Sequence, residues 1–264
     1  MCFAFDARPP ELPADLVVPR MAGGAGAEVL ELTSADGTQL SAAFAEAPDG
    51  QGGPAVIVLP DVRGLYRFYV ELAERFSDAG HHAVAIDYFG RTAGTGERDE
   101  DFDYWPHVEE TRLTQVQADA DAARALLTER TGATSFVTVG FCYGGAQSFL
   151  AATSPELHLD GAVGFYGRLS GGRAGMPRVL DHVAETRCPV LGLFGGADEA
   201  IPTNEVEQFD DALDEAGVDH EVVIYPGAPH SFFDRAYEEH AGACSDAWRR
   251  VLGFLEKVGS AKAA

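Results

Sequence analysis

Short apolar runs rich in β-branched residues alternate along this chain with segments of helical periodicity. The apolar runs occupy residues 54–60, 82–87, 135–139, 161–165, 189–194 and 221–225, and the helical segments occupy residues 67–79, 108–130, 146–152, 177–186, 204–216 and 246–258. Strands that are apolar on both faces are typical of parallel sheets covered by helices on both sides. The alternation therefore predicts right-handed crossovers and one doubly wound α/β domain over residues 1–264.

The beginning of the chain has a different pattern. Residues 29–33 and 40–45 flank a Ser-Ala-Asp-Gly sequence at residues 34–37. An Asp-Gly pair between two segments of β type is a strong hairpin signal. We therefore expect an antiparallel pair ahead of the parallel strands, and hence a mostly parallel sheet.

Charge and hydropathy argue against several classes of partner. The 264 residues carry 19 basic and 42 acidic side chains, for a formal net charge of −23, which suits neither nucleic acid nor another phosphate backbone. No apolar run approaches the roughly 20 residues that cross a bilayer, and residues 1–19 lack the basic start and apolar stretch of a secretory signal. We expect a cytoplasmic protein that binds neither nucleic acid nor membrane.

Cofactor motifs are also missing. The four cysteines, Cys2, Cys142, Cys188 and Cys244, are far apart and lack metal-ligand spacing. The chain has no nucleotide P-loop, and the glycines at residues 140–145 do not fit the dinucleotide fingerprint. We expect no metal and no organic cofactor. The oligomeric state is left open.

One cysteine stands in a distinctive context. The apolar run 135–139 leads into Gly-Phe-Cys-Tyr-Gly-Gly at residues 140–145 and then into a helical segment, which is a G-x-C-x-G turn between strand and helix. Such an elbow lifts a nucleophile clear of the sheet edge, and the helix N-terminus favours a thiolate at Cys142. The backbone N–H of Tyr143 is the first candidate oxyanion donor. The competing interpretation is that Cys142 is a small buried residue.

A base and an orienting acid follow in the order nucleophile, acid, histidine. Asp198 comes just after the run 189–194, and His230 lies on the loop after the run 221–225. Both runs end at the sheet edge that carries the elbow, so His230 is placed to accept the thiol proton and Asp198 to orient the imidazole. Glu199 is the weaker candidate for the acid.

Four motifs together resemble the dienelactone hydrolases, a branch of the α/β-hydrolase fold with cysteine in place of the usual serine. They are GFCYGG at residues 140–145, AVGFYG at 162–167, GGAD at 195–198 and GAPHSF at 227–232, and the resemblance extends from residue 1 to residue 255. It implies the α/β-hydrolase fold and a triad of Cys142, His230 and Asp198. It also implies hydrolysis of a small ester or lactone, such as a dienelactone, through a thiol ester.

The resemblance assigns further residues. The N–H of Val62 would be the second oxyanion donor. Asp61 stands where the archetypal enzyme has a glutamate that holds the resting nucleophile, although an N-cap for the following helix is the competing interpretation. Arg91 occupies the place of an arginine that grips the substrate carboxylate; its alternative is a surface arginine. Arg235 is the nearest match to a second family arginine and lies one position later than expected.

The charges around the elbow bear on the substrate. An acidic loop at residues 96–103 follows Arg91, whereas Arg168, Arg173 and Arg178 lie in a Gly-rich loop after the run 161–165. We therefore expect Arg91 and this loop to receive a carboxylated or otherwise polar small ester. Two alternatives stay open, namely a carboxylesterase of unrelated small esters and a non-hydrolytic protein that uses the elbow thiol to sense oxidants or bind a ligand.

Overall fold

Eight strands form one sheet in the part of the chain that the computed structural model describes, which is residues 7–18, 26–48, 53–171, 176–234 and 237–263. The strands are β1 (Glu28–Thr33), β2 (Gln39–Ala45), β3 (Ala55–Leu59), β4 (Ala83–Ile86), β5 (Phe136–Phe141), β6 (Gly161–Phe165), β7 (Val190–Gly195) and β8 (His220–Tyr225). Their order across the sheet is β1-β2-β4-β3-β5-β6-β7-β8.

The sheet is mostly parallel, as the sequence predicts. β1 pairs antiparallel with β2 through a turn that ends at Gly37, and β2 pairs antiparallel with β4. All other neighbouring pairs are parallel. From β3 the chain moves outward to β4 and then returns to β5 on the other side, so the strand order reverses between β3 and β5. Ligands of open α/β sheets bind at such a switch point, beyond the carboxyl ends of the strands.

Helices cover both faces of this sheet. They are α1 (Arg67–Asp78), α2 (Gly90–Ala93), α3 (Tyr104–Glu110), α4 (Leu113–Thr131), α5 (Tyr143–Ala151), α6 (Thr203–Glu215) and α7 (Ala241–Ala263). Along β3, Val56 and Val58 join the core beneath α1, whereas Ala55 and Ile57 join the core beneath α4. This alternation places the two helices on opposite faces, which confirms the doubly wound arrangement.

Strand β6 shows the same division at two glycines. A Cβ at Gly161 would lie 2.7 Å from the ring of Phe254 on α7, and a Cβ at Gly164 would overlap the ring of Phe149 on α5. Residues three apart in a strand point to opposite faces, so α7 and α5 cover opposite sides. Both helices therefore pack almost directly on the strand backbone, α5 toward the carboxyl end of β6 and α7 at its amino end.

Several helix predictions were wrong in detail. The segment predicted as one helix over residues 108–130 forms α3 and α4, because Arg112 is extended and its N–H is capped by Gln115 at 2.9 Å. The segment 177–186 forms two 3-10 turns, at Val179–Asp181 and Val183–Glu185, separated by His182 at φ −120°. Helix α7 extends beyond the predicted 246–258 at both ends. No helix of the described ranges has the length and hydropathy to span a bilayer.

Candidate active site

Strand β5 and helix α5 are joined by a single residue, Cys142. Its backbone has φ 54° and ψ −110°, a strained combination for a residue other than glycine. The neighbouring glycines make the turn possible, because a Cβ at Gly140 would overlap the carbonyl of Gly144, and a Cβ at Gly144 would overlap the carbonyls of Leu59 and Pro60. The elbow is therefore tighter than predicted, since β5 extends to residue 141 and α5 begins at residue 143 rather than 146.

His230 lies between the thiol and a buried carboxylate. Its Nδ1 is 2.6 Å from Oδ2 of Asp198, and its Nε2 is 3.2 Å from Sγ of Cys142. The other carboxylate oxygen of Asp198 accepts the N–H of Ala200 at 2.8 Å, and the Asp198 side chain is only 1% exposed. A carboxylate on Nδ1 selects the tautomer with its proton on that nitrogen, so Nε2 is free to accept the thiol proton.

The close contact between β3 and α5 also brings the two residues predicted to supply oxyanion donors into one cleft with the thiol. Gly144 packs against the end of β3, so the loop after that strand lies beside the first turn of α5. Val62, in this loop, and Tyr143, the first residue of α5, both line the cleft that Cys142 lines. The helix N-terminus carries a partial positive charge from its unpaired N–H groups, which favours an anion there.

Asp61 is buried in an ionic cluster that also contains Arg63 and Asp234. The guanidinium of Arg63 donates from Nε and Nη2 to the Asp61 carboxylate, at 3.0 and 2.5 Å, and from Nη2 to Oδ2 of Asp234 at 2.7 Å. The hydroxyl of Tyr69 donates to Asp61 at 2.9 Å. Burial raises the pKa of Tyr69 well above its usual value, so this hydroxyl keeps its proton.

The cluster decides the capping interpretation of Asp61. Its carboxylate bonds to Arg63 and Tyr69, and helix α1 begins at Arg67 with Tyr66 as N-cap, so the capping interpretation was wrong. The sequence reasoning missed Arg63, whose only sign was its place two residues after Asp61. Because Asp234 lies 171 positions from Arg63, the cluster joins the Val62 loop to the loop of His230.

Arg91 does not line the described cleft. Its guanidinium forms a bidentate pair with Asp119 at 2.8 and 2.9 Å and donates to Asp36 at 2.7 Å in the turn between β1 and β2. The hydrogen bond from Arg91 is the main reason that the pKa of Asp36 falls to about 2. Through Asp119 and Asp36, this guanidinium connects α2 to α4 and to the β1–β2 hairpin. The expectation that Arg91 meets the substrate is therefore not supported, and Arg235 lies outside the described residues.

The cleft in front of Cys142 has a volume of about 400 Å³ and a largely apolar wall. Helix α3 contributes Tyr104 and Trp105 to it, and helix α5 contributes Tyr143, Ala146, Gln147 and Leu150. The loop after β6 contributes Arg168, and the following segment contributes Arg178. Arg178 lies 3.5 Å from Asp181, whereas Arg168 forms no ion pair within the described ranges. Arg173 lies outside them.

The other described cysteines are unsuited to chemistry. Burial raises the pKa of both Cys188 and Cys244 to about 12, so each is a neutral thiol at ordinary pH. Cys2 lies outside the described residues. Among the residues that are described, no group of three or more His, Cys, Asp or Glu side chains is arranged to hold a metal ion.

Comparison with known proteins gives a consistent result. The model of the dienelactone hydrolase family matches residues 41–259. Two relatives named "Putative carboxymethylenebutenolidase" are 31% identical over 219 residues in Escherichia coli O157:H7, covering 79% of both chains, and 32% identical over 231 residues in Yersinia pestis, covering 84% of this chain and 85% of that one. A crystal structure described as a putative dienelactone hydrolase from Klebsiella pneumoniae matches with a TM-score of 0.77 at 28% identity, over 87% of this chain and 98% of the other.

Proposed function

This chain belongs to the dienelactone hydrolase family, and we propose that it cleaves a small ester or lactone through a Cys142–His230–Asp198 triad and a thiol ester intermediate. Family membership establishes a hydrolase with the α/β-hydrolase fold that acts on esters or lactones. The observation that carries the triad is the position of His230, whose two ring nitrogens lie 2.6 Å from Asp198 and 3.2 Å from Cys142.

The proposed reaction has two steps. In the first, Nε2 of His230 takes the proton of Cys142, and the thiolate attacks the carbonyl carbon of the substrate. The N–H groups of Val62 and Tyr143 stabilise the oxyanion. The carbon–oxygen bond to the alcohol then breaks, and His230 returns the proton to the leaving oxygen, which stays tethered to the acyl group in a lactone.

In the second step a water molecule hydrolyses the thiol ester. Nε2 of His230 takes a proton from a water molecule, and the hydroxide attacks the thiol ester. The carbon–sulfur bond breaks, the carboxylic acid leaves, and the proton returns to Sγ of Cys142. Asp198 keeps the imidazole in the required tautomer through both steps and stabilises the imidazolium that forms. Apart from this water molecule and the substrate, the proposed cycle uses side chains and backbone groups of this chain.

Hydrolysis of p-nitrophenyl acetate tests the triad. We expect Cys142→Ala and His230→Ala each to lower kcat by at least about 10³-fold, because nucleophile and base act as a unit. Cys188→Ala is the matched control, since it removes a buried thiol that lies outside the cleft, and its activity should equal that of the wild type. A protein that only senses oxidants needs Cys142 but not His230. If the wild type shows no detectable hydrolysis and His230→Ala reacts with peroxide as readily as the wild type, oxidant sensing replaces the proposal.

Arg168 supports an anionic substrate. Arg168, rather than Arg91, is placed to bind a substrate carboxylate, because it lines the cleft and has no ion-pair partner among the described residues. The matched test uses Arg168→Gln and Arg178→Gln on a carboxylated ester and on its neutral methyl ester. We expect Arg168→Gln alone to raise KM for the anionic ester roughly fivefold, as suits one exposed charge pair of about 1 kcal/mol. Equal effects on both esters would exclude this role.

A further inference from the structure

Gln147 is a buried polar side chain in the apolar wall of the cleft. It lines the cleft and is 1% exposed. Its Nε2 donates to Sδ of Met176 at 2.9 Å, and its Oε1 has no hydrogen-bond donor within the described part of the chain. Thioether sulfur is a weak acceptor, so both ends of this amide are poorly satisfied. Buried amides in native proteins normally find partners, and an exception calls for an explanation.

The position of Gln147 in helix α5 relates it to the nucleophile. Tyr143, Ala146, Gln147 and Leu150 follow the i, i+3, i+4, i+7 spacing of one helix face, and all four line the cleft. Gln147 is the only one of them with an amide. It lies five residues after Cys142, a rise of about 7.5 Å along the axis, and helical side chains lean back toward the N-terminus. An acyl chain of about six carbons on Cys142 therefore reaches the amide.

Met176 lies against the donor end of this amide. It is 8% exposed and lines the cleft next to Gln147. Its side chain is unbranched and has three rotatable bonds, so it changes rotamer at low cost. When the thioether turns aside, the amide presents one donor pair and one acceptor to whatever occupies the cleft.

We propose that Gln147 and Met176 form a polar subsite that selects esters whose acyl part carries a hydroxyl or carboxamide group about six atoms from the carbonyl. This inference rests on the proposed function and names its substrate class. The substrate group displaces the Met176 sulfur, donates to Oε1 of Gln147 and accepts from Nε2, so that both unsatisfied ends of the amide gain a partner. An alkyl chain of the same length leaves the amide unsatisfied and is therefore disfavoured.

The test compares two p-nitrophenyl esters of matched length, the 6-hydroxyhexanoate and the heptanoate, with the 6-methoxyhexanoate, in which a methyl group replaces the hydroxyl proton. We expect Gln147→Leu to lower the ratio of kcat/KM for the hydroxy ester over the heptanoate by about tenfold, in line with one neutral hydrogen bond. Gln117→Leu, the same substitution on α4 outside the described cleft wall, should leave that ratio unchanged. Met176→Ala should raise it, because the amide is then uncovered. The methoxy ester should fall between the other two, since its oxygen accepts from Nε2 but it has no donor for Oε1.

The outcomes separate this inference from the proposed function. If Cys142 is required for acetate hydrolysis but Gln147→Leu leaves the ratio unchanged, the subsite is refuted and the triad stands. If the wild type hydrolyses none of the esters, the triad is refuted, and calorimetric binding of 6-hydroxyhexanamide against heptanamide decides the subsite. Tighter binding of the hydroxy amide that is lost in Gln147→Leu supports the subsite, and equal binding of the two amides overturns it.

Discussion

Replacing Arg63 by methionine should destabilise this protein far more than the same change at an exposed arginine nearby. Arg63 is 1% exposed, and the Asp61 and Asp234 side chains are 2% and 3% exposed. Methionine keeps much of the length of the arginine stem but removes every donor. Arg63→Met therefore removes the cation to which both buried carboxylates are bonded.

The expected loss follows from burial. Breaking a buried ion pair by removing one partner costs about 3–5 kcal/mol, which is a large part of the roughly 5–15 kcal/mol that stabilises a typical domain. At about 2–4 °C per kcal/mol for a domain near this size, the melting temperature should fall by roughly 10 °C. Val62 lies between Asp61 and Arg63, so turnover should also fall at temperatures where the variant remains folded.

Arg67→Met is the matched control. Arg67 pairs with Glu71 at 2.5 Å, the same distance as Arg63 with Asp61, but its side chain is 59% exposed. An exposed i,i+4 pair contributes only about 0.3–0.5 kcal/mol. Urea denaturation and calorimetry on both variants decide the point. If the unfolding free energies of Arg63→Met and Arg67→Met differ by less than about 1 kcal/mol, the buried cluster does not stabilise the protein as expected.

Two further predictions follow from the pKa shifts. Iodoacetamide at pH 8 should alkylate Cys142 of the native protein and abolish esterase activity in parallel. Cys188 and Cys244, with pKa values of about 12, keep a thiolate fraction of only about 10⁻⁴ and should react far more slowly. Peptide mass spectrometry that finds Cys188 modified first would contradict this. Burial lowers the pKa of His82, whose Nδ1 accepts the N–H of Ala47 at 3.1 Å. The folded state therefore favours neutral His82. The stability that this preference contributes is present above about pH 6.5 and is lost as the pH falls through the lowered pKa. His82→Asn should flatten the fall in unfolding free energy between pH 7 and 5, and an unchanged slope by urea denaturation would count against it.

The strand and turn patterns, which depend on neighbouring residues, were read correctly from the sequence. The apolar runs predict all six parallel strands, because a strand that is buried on both faces has consecutive apolar side chains. The Asp-Gly pair predicts the hairpin, since turn geometry depends on two or three residues. The glycines around Cys142 predict the elbow for the same reason. The order of Cys142, Asp198 and His230 along the chain predicts their meeting, because the carboxyl ends of parallel strands share one edge.

The partners of the charged side chains were decided only by the tertiary structure. Arg91 and Arg168 both follow strands and both suit a carboxylate, but Asp119 lies 28 positions from Arg91 and takes up its guanidinium, whereas Arg168 is left at the cleft. Arg63 likewise finds Asp234 at a separation of 171 positions. An ion pair depends on which side chains converge after folding and on how completely water is excluded from them. Neither quantity is encoded in local spacing. The sequence by itself therefore determined the strands, the elbow and the candidate triad, and the folded chain determined which arginines remain at the cleft.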